Sequence, residues 1–404
     1  MNIMRAFFRH LLGGVLSHHI LSRSILVMLL ATGSSQALEM SDSQREELLR
    51  IAPGLELTEE LVQQLRAIVY DSSLSVDERI QAMQQLTGFS PAEPLKRKLC
   101  VWDIAGRSGP IYGAARDQAI MLLEYGIDID LHAYTNEGVL SQDLQAGICD
   151  AALMTGLRGR LFNRFAGSID AVGAVPSETH MRMLLQVLAD PRMADKMESG
   201  EYVILGLAPA GAAYVFVNDR AINSLAAAAG KRVAVLDYDE TQARMVAQVG
   251  ATPVATDIAQ APNRFNNGVV DVLPAPLVAY EVMELYRGMS PDGGIVDYPL
   301  AQITMQLIGR RDKFPTEIAQ LVREAFFEGY DEIMMHLRAE EEKVPERWWI
   351  AVPEEDKQEY EVMMQEARLQ LREEGYYDPE MLRLQRRIRC RIEPGRYECA
   401  NPLE

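Results

Sequence analysis

Histidine is scarce: six in 404 residues, three of them before residue 37. The other three, His132, His180 and His336, are too few and too scattered for an obvious metal cluster. No Gly-x-Ser-x-Gly elbow, His-Glu-x-x-His pair or phosphate-binding loop occurs, and Gly230-Lys231-Arg232 lacks both the upstream glycine and the following hydroxyl of such a loop. No enzyme activity, metal or cofactor is therefore expected, although triads assembled from distant residues stay open. Basic residues also run short, 40 against 58 acidic ones. The negative field repels phosphate backbones, which argues against nucleic acid as a partner. Beyond Leu30 no stretch is apolar enough to span a bilayer, so an integral membrane protein is not expected.

What is present begins with a targeting pattern. Arg5, Arg9 and Arg23 precede the short apolar run Ile25–Leu30, and small residues follow up to Ser35-Gln36-Ala37. Basic flank, short apolar core and small residues before a cut describe a cleavable signal peptide over 1–37 and a periplasmic destination. Cleavage removes three arginines and no acid, leaving 37 basic against 58 acidic residues, a net charge of −21. The remaining 367 residues can bury more than one core.

The segment 38–93 reads as short helices. Thr58 precedes an acidic first turn, and Ser75-Val76-Asp77-Glu78 is a capping box. Ser90-Pro91-Ala92-Glu93-Pro94 breaks the pattern as a linker. From 97 the grammar alternates: strand 98–103, helix 111–125, strand 127–134, a short helix to Gly147, and a strand from Cys149 to Thr155. Short connections between such elements imply parallel strands with right-handed crossovers. A second sheet is expected from strands 214–218, 232–237, 269–273 and 304–308. One helix from Pro315 to about Lys343, ~45 Å long at 1.5 Å per residue, would brace both parts. The tail carries two more helical patterns with Trp348, Trp349, Tyr376 and Tyr377 as apolar anchors. The fold class is thus α/β and two-lobed, divided into an N-terminal helical segment 38–93, lobe I 94–213, lobe II 214–312, the bracing helix 313–343 and a C-terminal helical extension 344–404.

Four cysteines in an exported chain allow two disulfides in three pairings, or four buried thiols. First and third strands of such a sheet usually lie side by side, which favours Cys100 with Cys149 and leaves Cys390 with Cys399 across the Glu393-Pro394-Gly395 turn. Facing strands do not guarantee facing side chains, so reduced Cys100 and Cys149 remain the competing account.

Over 95–343 the chain resembles the solute-binding proteins of TRAP-type transporters. Gly230–Leu236, Gly250-Ala251-Thr252-Pro253, Gly268-Val269-Val270-Asp271 with Pro276, and Leu144–Asp150 follow that family's order and spacing. The nearest branch contains solute-binding proteins that also carry the label of efflux-pump components. The resemblance implies a two-lobed fold like that of a type II periplasmic binding protein, a small-molecule ligand held between lobes and a membrane permease as partner. It also shows departures. Where the family clamps a carboxylate with arginine, this chain has Ala234 or Val235. A second family arginine is replaced by Ala213, and a family asparagine by Ala275. A neutral or largely apolar ligand is expected. The alternative is an envelope scaffold or efflux-associated protein with a vestigial cleft, although the long coiled coil and β-barrel segments of an efflux adaptor are missing from the sequence pattern.

Ligands in open α/β sheets sit beyond the C-terminal strand ends. The candidate contacts are accordingly Asp103, Arg107 and Ser108 after the first strand, Tyr134 and Thr135 after the second, Thr155 and Arg158 after the third, and Ala213, Asp237, Tyr238 and Leu273 from the other lobe. Arg107 and Arg158 read as surface or rim charges. The Gly106-Arg107-Ser108-Gly109 turn can hold an anion through backbone N–H groups, though an ordinary strand-to-helix turn is the commoner use. Asp271 is expected at a strand end for structural reasons, such as capping the next helix, and Asp237 and Asp239 to be solvated.

Overall fold

The computed structural model describes residues 58–404; the signal-peptide reading of 1–37 lies outside them. Two compact units divide the chain, one running to Lys96 with Arg116–Ile129 added, the other comprising Arg97–Ala115 and Asp130–Glu404. In the first, α1 (Glu59–Tyr70) and α2 (Val76–Thr87) pack on each other. Thr58 accepts the Leu61 N–H, and the Ser75/Glu78 capping box forms as the sequence predicts. Burial of Val62, Leu65 and Val69 from α1 and Ala82, Met83 and Leu86 from α2 reflects the apolar stripe each helix carries at i, i+3, i+4 spacing.

The second unit is built on one sheet. The strands are β1 (Leu95–Trp102) and β2 (Ile127–Tyr134), which belong to this unit from Arg97 and from Asp130 onward, and β3 (Ala151–Thr155), β4 (Glu198–Ser199), β5 (Tyr202–Val217), β6 (Arg232–Leu236), β7 (Thr252–Thr256), β8 (Val272–Pro276), β9 (Gly294–Arg310) and β10 (Trp349–Ile350). The order is β2-β1-β3-β9-β5-β8-β6-β7, with β4 against β5 and β10 against β9. Two separate open sheets were expected; the long antiparallel pair β5 and β9 fuses them into one ladder. Val203–Pro209 of β5 pairs with Thr304–Gly309 beside β3, while Ala213–Val217 pairs with β8. The register slips between Pro209 and Ala212, where proline lacks a donor and Gly211 stands at φ 92°. Such a bulge bends a strand without cutting it, so the halves remain distinguishable as lobes.

The helix α3 (Pro110–Leu122) belongs to this unit as far as Ala115. Around the sheet lie α4 (Glu137–Gln145), α5 (Glu178–Ala189), α6 (Glu240–Gln248), α7 (Thr316–Glu328), α8 (Tyr330–Glu341), α9 (Glu354–Glu373) and α10 (Pro379–Ile392). The single bracing helix is instead two, α7 and α8, interrupted at Gly329, a residue costly in helix interiors. Lobe I buries Leu140, Leu144, Met154, Leu184, Ile204 and Ile308 in one cluster that also takes Met381 and Ile388 from α10. Lobe II is centred on Phe216, Phe265, Leu273 and Ile295, with Trp348 added from the tail. Trp348 donates to the Tyr280 hydroxyl at 2.9 Å.

β1 and β3 are parallel neighbours, with Cys100 opposite Ala152. Disulfides join Cys100 to Cys149 (Cα–Cα 5.9 Å) and Cys390 to Cys399 (5.5 Å). Asp271 does not cap a helix. It accepts from the Arg232 backbone and guanidinium and from Asn218, tying the starts of β6 and β8 to the end of β5. The Arg232 hydrogen bonds hold its carboxyl down at about 2.

Candidate functional site

The turn after β3 positions the site. Thr155 caps the one-turn helix Gly156–Gly159 by accepting the Arg158 N–H at 3.3 Å. That helix presses against β9: a Cβ on Gly156 would meet Thr304 Oγ1 at 2.3 Å and Asp170 Oδ2 at 2.5 Å, and one on Gly159 would meet Gln306 Oε1 at 2.6 Å. Glycine at both positions therefore permits the close approach that fixes the directions of Arg158 and Arg160.

Glu137 opens α4 directly after its cap, Asn136, which accepts the Val139 N–H at 2.8 Å. Glu137 is fully buried. Its Oε1 accepts the Thr155 N–H at 2.7 Å, while its Oε2 stands 3.8 Å from Arg158 Nε, too far for a hydrogen bond. Arg158, itself buried, lies with its guanidinium carbon 3.3 Å from the ring centroid of Tyr238, on the loop after β6. The two lobes touch there through a cation–π contact. Glu137 Oε2, Arg158 Nε and the Tyr238 hydroxyl have no hydrogen-bond partner among the described residues. Burial raises the Glu137 carboxyl to about 7, against the opposing pull of the Thr155 hydrogen bonds and of Arg158. Burial also pushes the Tyr238 phenol far up, so it stays protonated.

A second layer adjoins the first. Asp170 accepts from Thr304 Oγ1 at 2.7 Å and from the Thr304 N–H at 3.3 Å, and burial raises its carboxyl to about 7. Arg160 reaches Asp239 of lobe II at 3.8 Å and lies 3.9 Å over the ring of Tyr376. Asp239 is not solvated as expected: it is buried, caps α6 through Thr241 N and Gln242 N, and accepts the Tyr376 hydroxyl.

Of the residues singled out from sequence, Thr155, Arg158 and Tyr238 converge. Arg158 is buried rather than a rim charge. Asp103 is consumed by structure: Oδ1 accepts Ala105 N at 2.9 Å, and Oδ2 accepts Ile111 N and Tyr112 N at 2.8 and 3.0 Å at the start of α3. Arg107, Ser108, Thr135 and Asp237 are exposed. Tyr134 donates to Asp143 at 2.6 Å and is pushed up to about 12, by burial first and then by that bond. Ala213 and Leu273 are buried strand residues, on β5 and β8. Glu137, Arg160, Asp170 and Asp239 were not singled out as contacts; Glu137 and Asp239 carry only the ordinary signal of an acid at a helix start. A separate cavity of about 220 Å³ lies between β9 and the C-terminal helices, lined by Tyr298, Met364, Arg368 and Arg396 among others, whose arginines are paired with Glu404 and with Glu361, Glu393 and Glu398.

This two-lobed arrangement is that of TRAP periplasmic solute-binding proteins. A Desulfovibrio salexigens protein of that type, solved with orotic acid, superimposes with a TM-score of 0.62 at 15% identity, over 74% of this chain and 99% of its own. One from Sulfurospirillum deleyianum, solved with succinate, gives 0.58 at 14% identity, over 73% and 99%. The family model described as solute-binding protein AdeT 1/2 matches residues 118–404, and the chain belongs to that family. It is 40% identical to the Acinetobacter baumannii "Probable solute-binding protein AdeT1" over 300 residues, 74% of this chain and 99% of the relative. It is 28% identical to the same organism's "Probable solute-binding protein AdeT2", over 58% and 98%. No helix among the described residues is long and apolar enough to cross a membrane.

Proposed function

We propose that the protein is an exported periplasmic solute-binding protein, without catalytic activity, that captures a small neutral or largely apolar ligand between its lobes and delivers it to a membrane permease. The observation that carries this reading is the convergence of three unpartnered buried atoms, Glu137 Oε2, Arg158 Nε and the Tyr238 hydroxyl, from both lobes. Buried polar atoms are rarely left unmatched without a purpose. One ligand hydroxyl can donate to Glu137 and accept from Arg158, and Tyr238 can do either. Ala213, Ala234 and Ala275 offer a carboxylate ligand no side-chain donor.

A thermal-shift screen of the mature protein against metabolites tests the reading, because ligands that bind only the folded state raise the melting midpoint. Neutral hydroxylated or apolar compounds should shift the midpoint, and Glu137→Ala should abolish the shift. The second reading, a scaffold with a vestigial cleft, is favoured by Arg158 resting on Tyr238 in the place where a ligand would sit. Absence of any shift across a broad library would select it.

A further inference from the structure

We infer that the turn between α9 and α10, centred on Tyr376, is a strap that holds the two lobes together and so sets how readily the cleft opens. Its consequence for ligand capture rests on the reading proposed above; the strap itself does not.

The strap is anchored on lobe I. Gly375, at φ 75°, takes the left-handed conformation that ends α9 and redirects the chain. From there Arg164 Nη1 donates to the Gly375 carbonyl at 3.1 Å, and Asp378 N donates to Ser168 Oγ at 2.8 Å. Gln385 donates to the carbonyls of Ser168 and Ile169, and Arg389 to that of Ala174. With Met381 and Ile388 inside the lobe I core, α10 cannot leave without unfolding that lobe.

The same turn grips lobe II at two points of one helix. The Tyr376 hydroxyl donates to Asp239, the cap of α6, while Arg244 on α6 donates to Glu374 at 2.8 Å. The Tyr376 ring meanwhile lies on Arg160 of lobe I at 3.9 Å. A single side chain thus joins an arginine of one lobe to an aspartate of the other. Separating the lobes requires these contacts to break, and Asp239 is buried, where a charge-assisted bond is strong.

Opening can be read without any ligand. Spin labels carried on unnatural amino acids at Ile148 of lobe I and Val269 of lobe II, both exposed, leave both disulfides intact. Pulsed electron resonance on the full mature chain then gives the lobe-to-lobe distance distribution. Wild type should show a single short distance, and Tyr376→Phe, which keeps the ring and loses the hydroxyl, should add a longer one. The open population should rise roughly tenfold or more, the factor that loss of one hydrogen bond to a charged group commands. Glu374→Gln should act in the same direction with a smaller effect, since that pair is partly exposed. Identical distributions in wild type and in the Y376F/E374Q double variant overturn the strap. If the distances change but no ligand is ever found, the strap stands and only the ligand-binding reading fails.

Discussion

Glu137→Gln isolates a single buried charge. Burial lifts this carboxyl from 4.5 to about 7 in the folded protein, so between those values the native state holds a proton that the unfolded chain has released. Stability must then fall as pH rises through that window. At about 1.4 kcal/mol for each pKa unit, ionising Glu137 costs about 3 kcal/mol by pH 8. Glutamine keeps the acceptor for the Thr155 N–H and removes the ionisation. Arg158 loses no hydrogen bond, because it makes none to Glu137. The variant should match wild type near pH 4.5 and gain on it steadily until about pH 8. Asp170, raised from 3.8 to about 7 by its own burial, gives both proteins a parallel decline, so the difference between the two curves belongs to Glu137. Denaturant titrations at half-unit intervals of pH measure it. A variant-minus-wild-type difference that stays flat with pH, or a variant less stable at pH 8, would falsify the claim that Glu137 is held neutral by burial.

Graded reductant should open Cys390–Cys399, both half-buried, well before Cys100–Cys149, whose cysteines are fully buried; alkylation with peptide mapping reads the order. In the loop-entropy model, losing the first bridge costs about 3 kcal/mol and losing the second about 4 kcal/mol, for separations of 9 and 49 residues. Arg389→Met leaves the carboxylates of Glu398 and Glu404 without this buried partner and should cost about 3–5 kcal/mol by equilibrium unfolding. Gly156→Ala forces a methyl into Thr304 and Asp170 and should destabilise by about 1–3 kcal/mol, where an ordinary surface glycine such as Gly395, with nothing near its Cβ, should show no such clash. Sialic acid and C4-dicarboxylates should give no binding heat at micromolar concentrations; a clear isotherm with either would sink the neutral-ligand reading.

The two-lobed α/β plan was legible because it rests on strand and helix periodicities that survive any detail of packing. The Ser75 capping box and the neighbouring positions of β1 and β3 were legible for the same reason: each follows from local chemistry or a topological rule. The first half of β5 was not. The expected strand began only at Tyr214, because proline and glycine in Gly206-Leu207-Ala208-Pro209-Ala210-Gly211 are punctuation in most sequences, yet here β9 supplies the pairing on one side and a bulge absorbs the proline. The break at Gly329 was overlooked because the apolar stripe continues through it. The site divides in the same way. Thr155, Arg158 and Tyr238 could be placed at strand ends by rule, whereas the burial of Glu137, Asp170 and Asp239 depends on what the opposite lobe and the tail bring against them. Tyr376 and Tyr377 were recognisable as anchors, but their partners are some 140 to 220 positions away in the chain.

A cleft whose walls already hold one another alters the thermodynamics of capture. When a ligand enters only the open form, its apparent dissociation constant is the intrinsic one divided by the open fraction. Each tenfold shift toward the closed empty form therefore weakens binding tenfold, or about 1.4 kcal/mol. Arg158 on Tyr238 and Tyr376 on Asp239 both act in that direction. The continuous β5–β9 ladder concentrates any opening near the register slips between Pro209 and Val215, because bending elsewhere would break paired backbone groups. A ligand that displaces Tyr238 from Arg158 must return at least what that contact gave. On the proposed reading, a hydroxyl that satisfies Glu137 Oε2 and Arg158 Nε together can do so, since neither atom has a hydrogen-bond partner among the described residues.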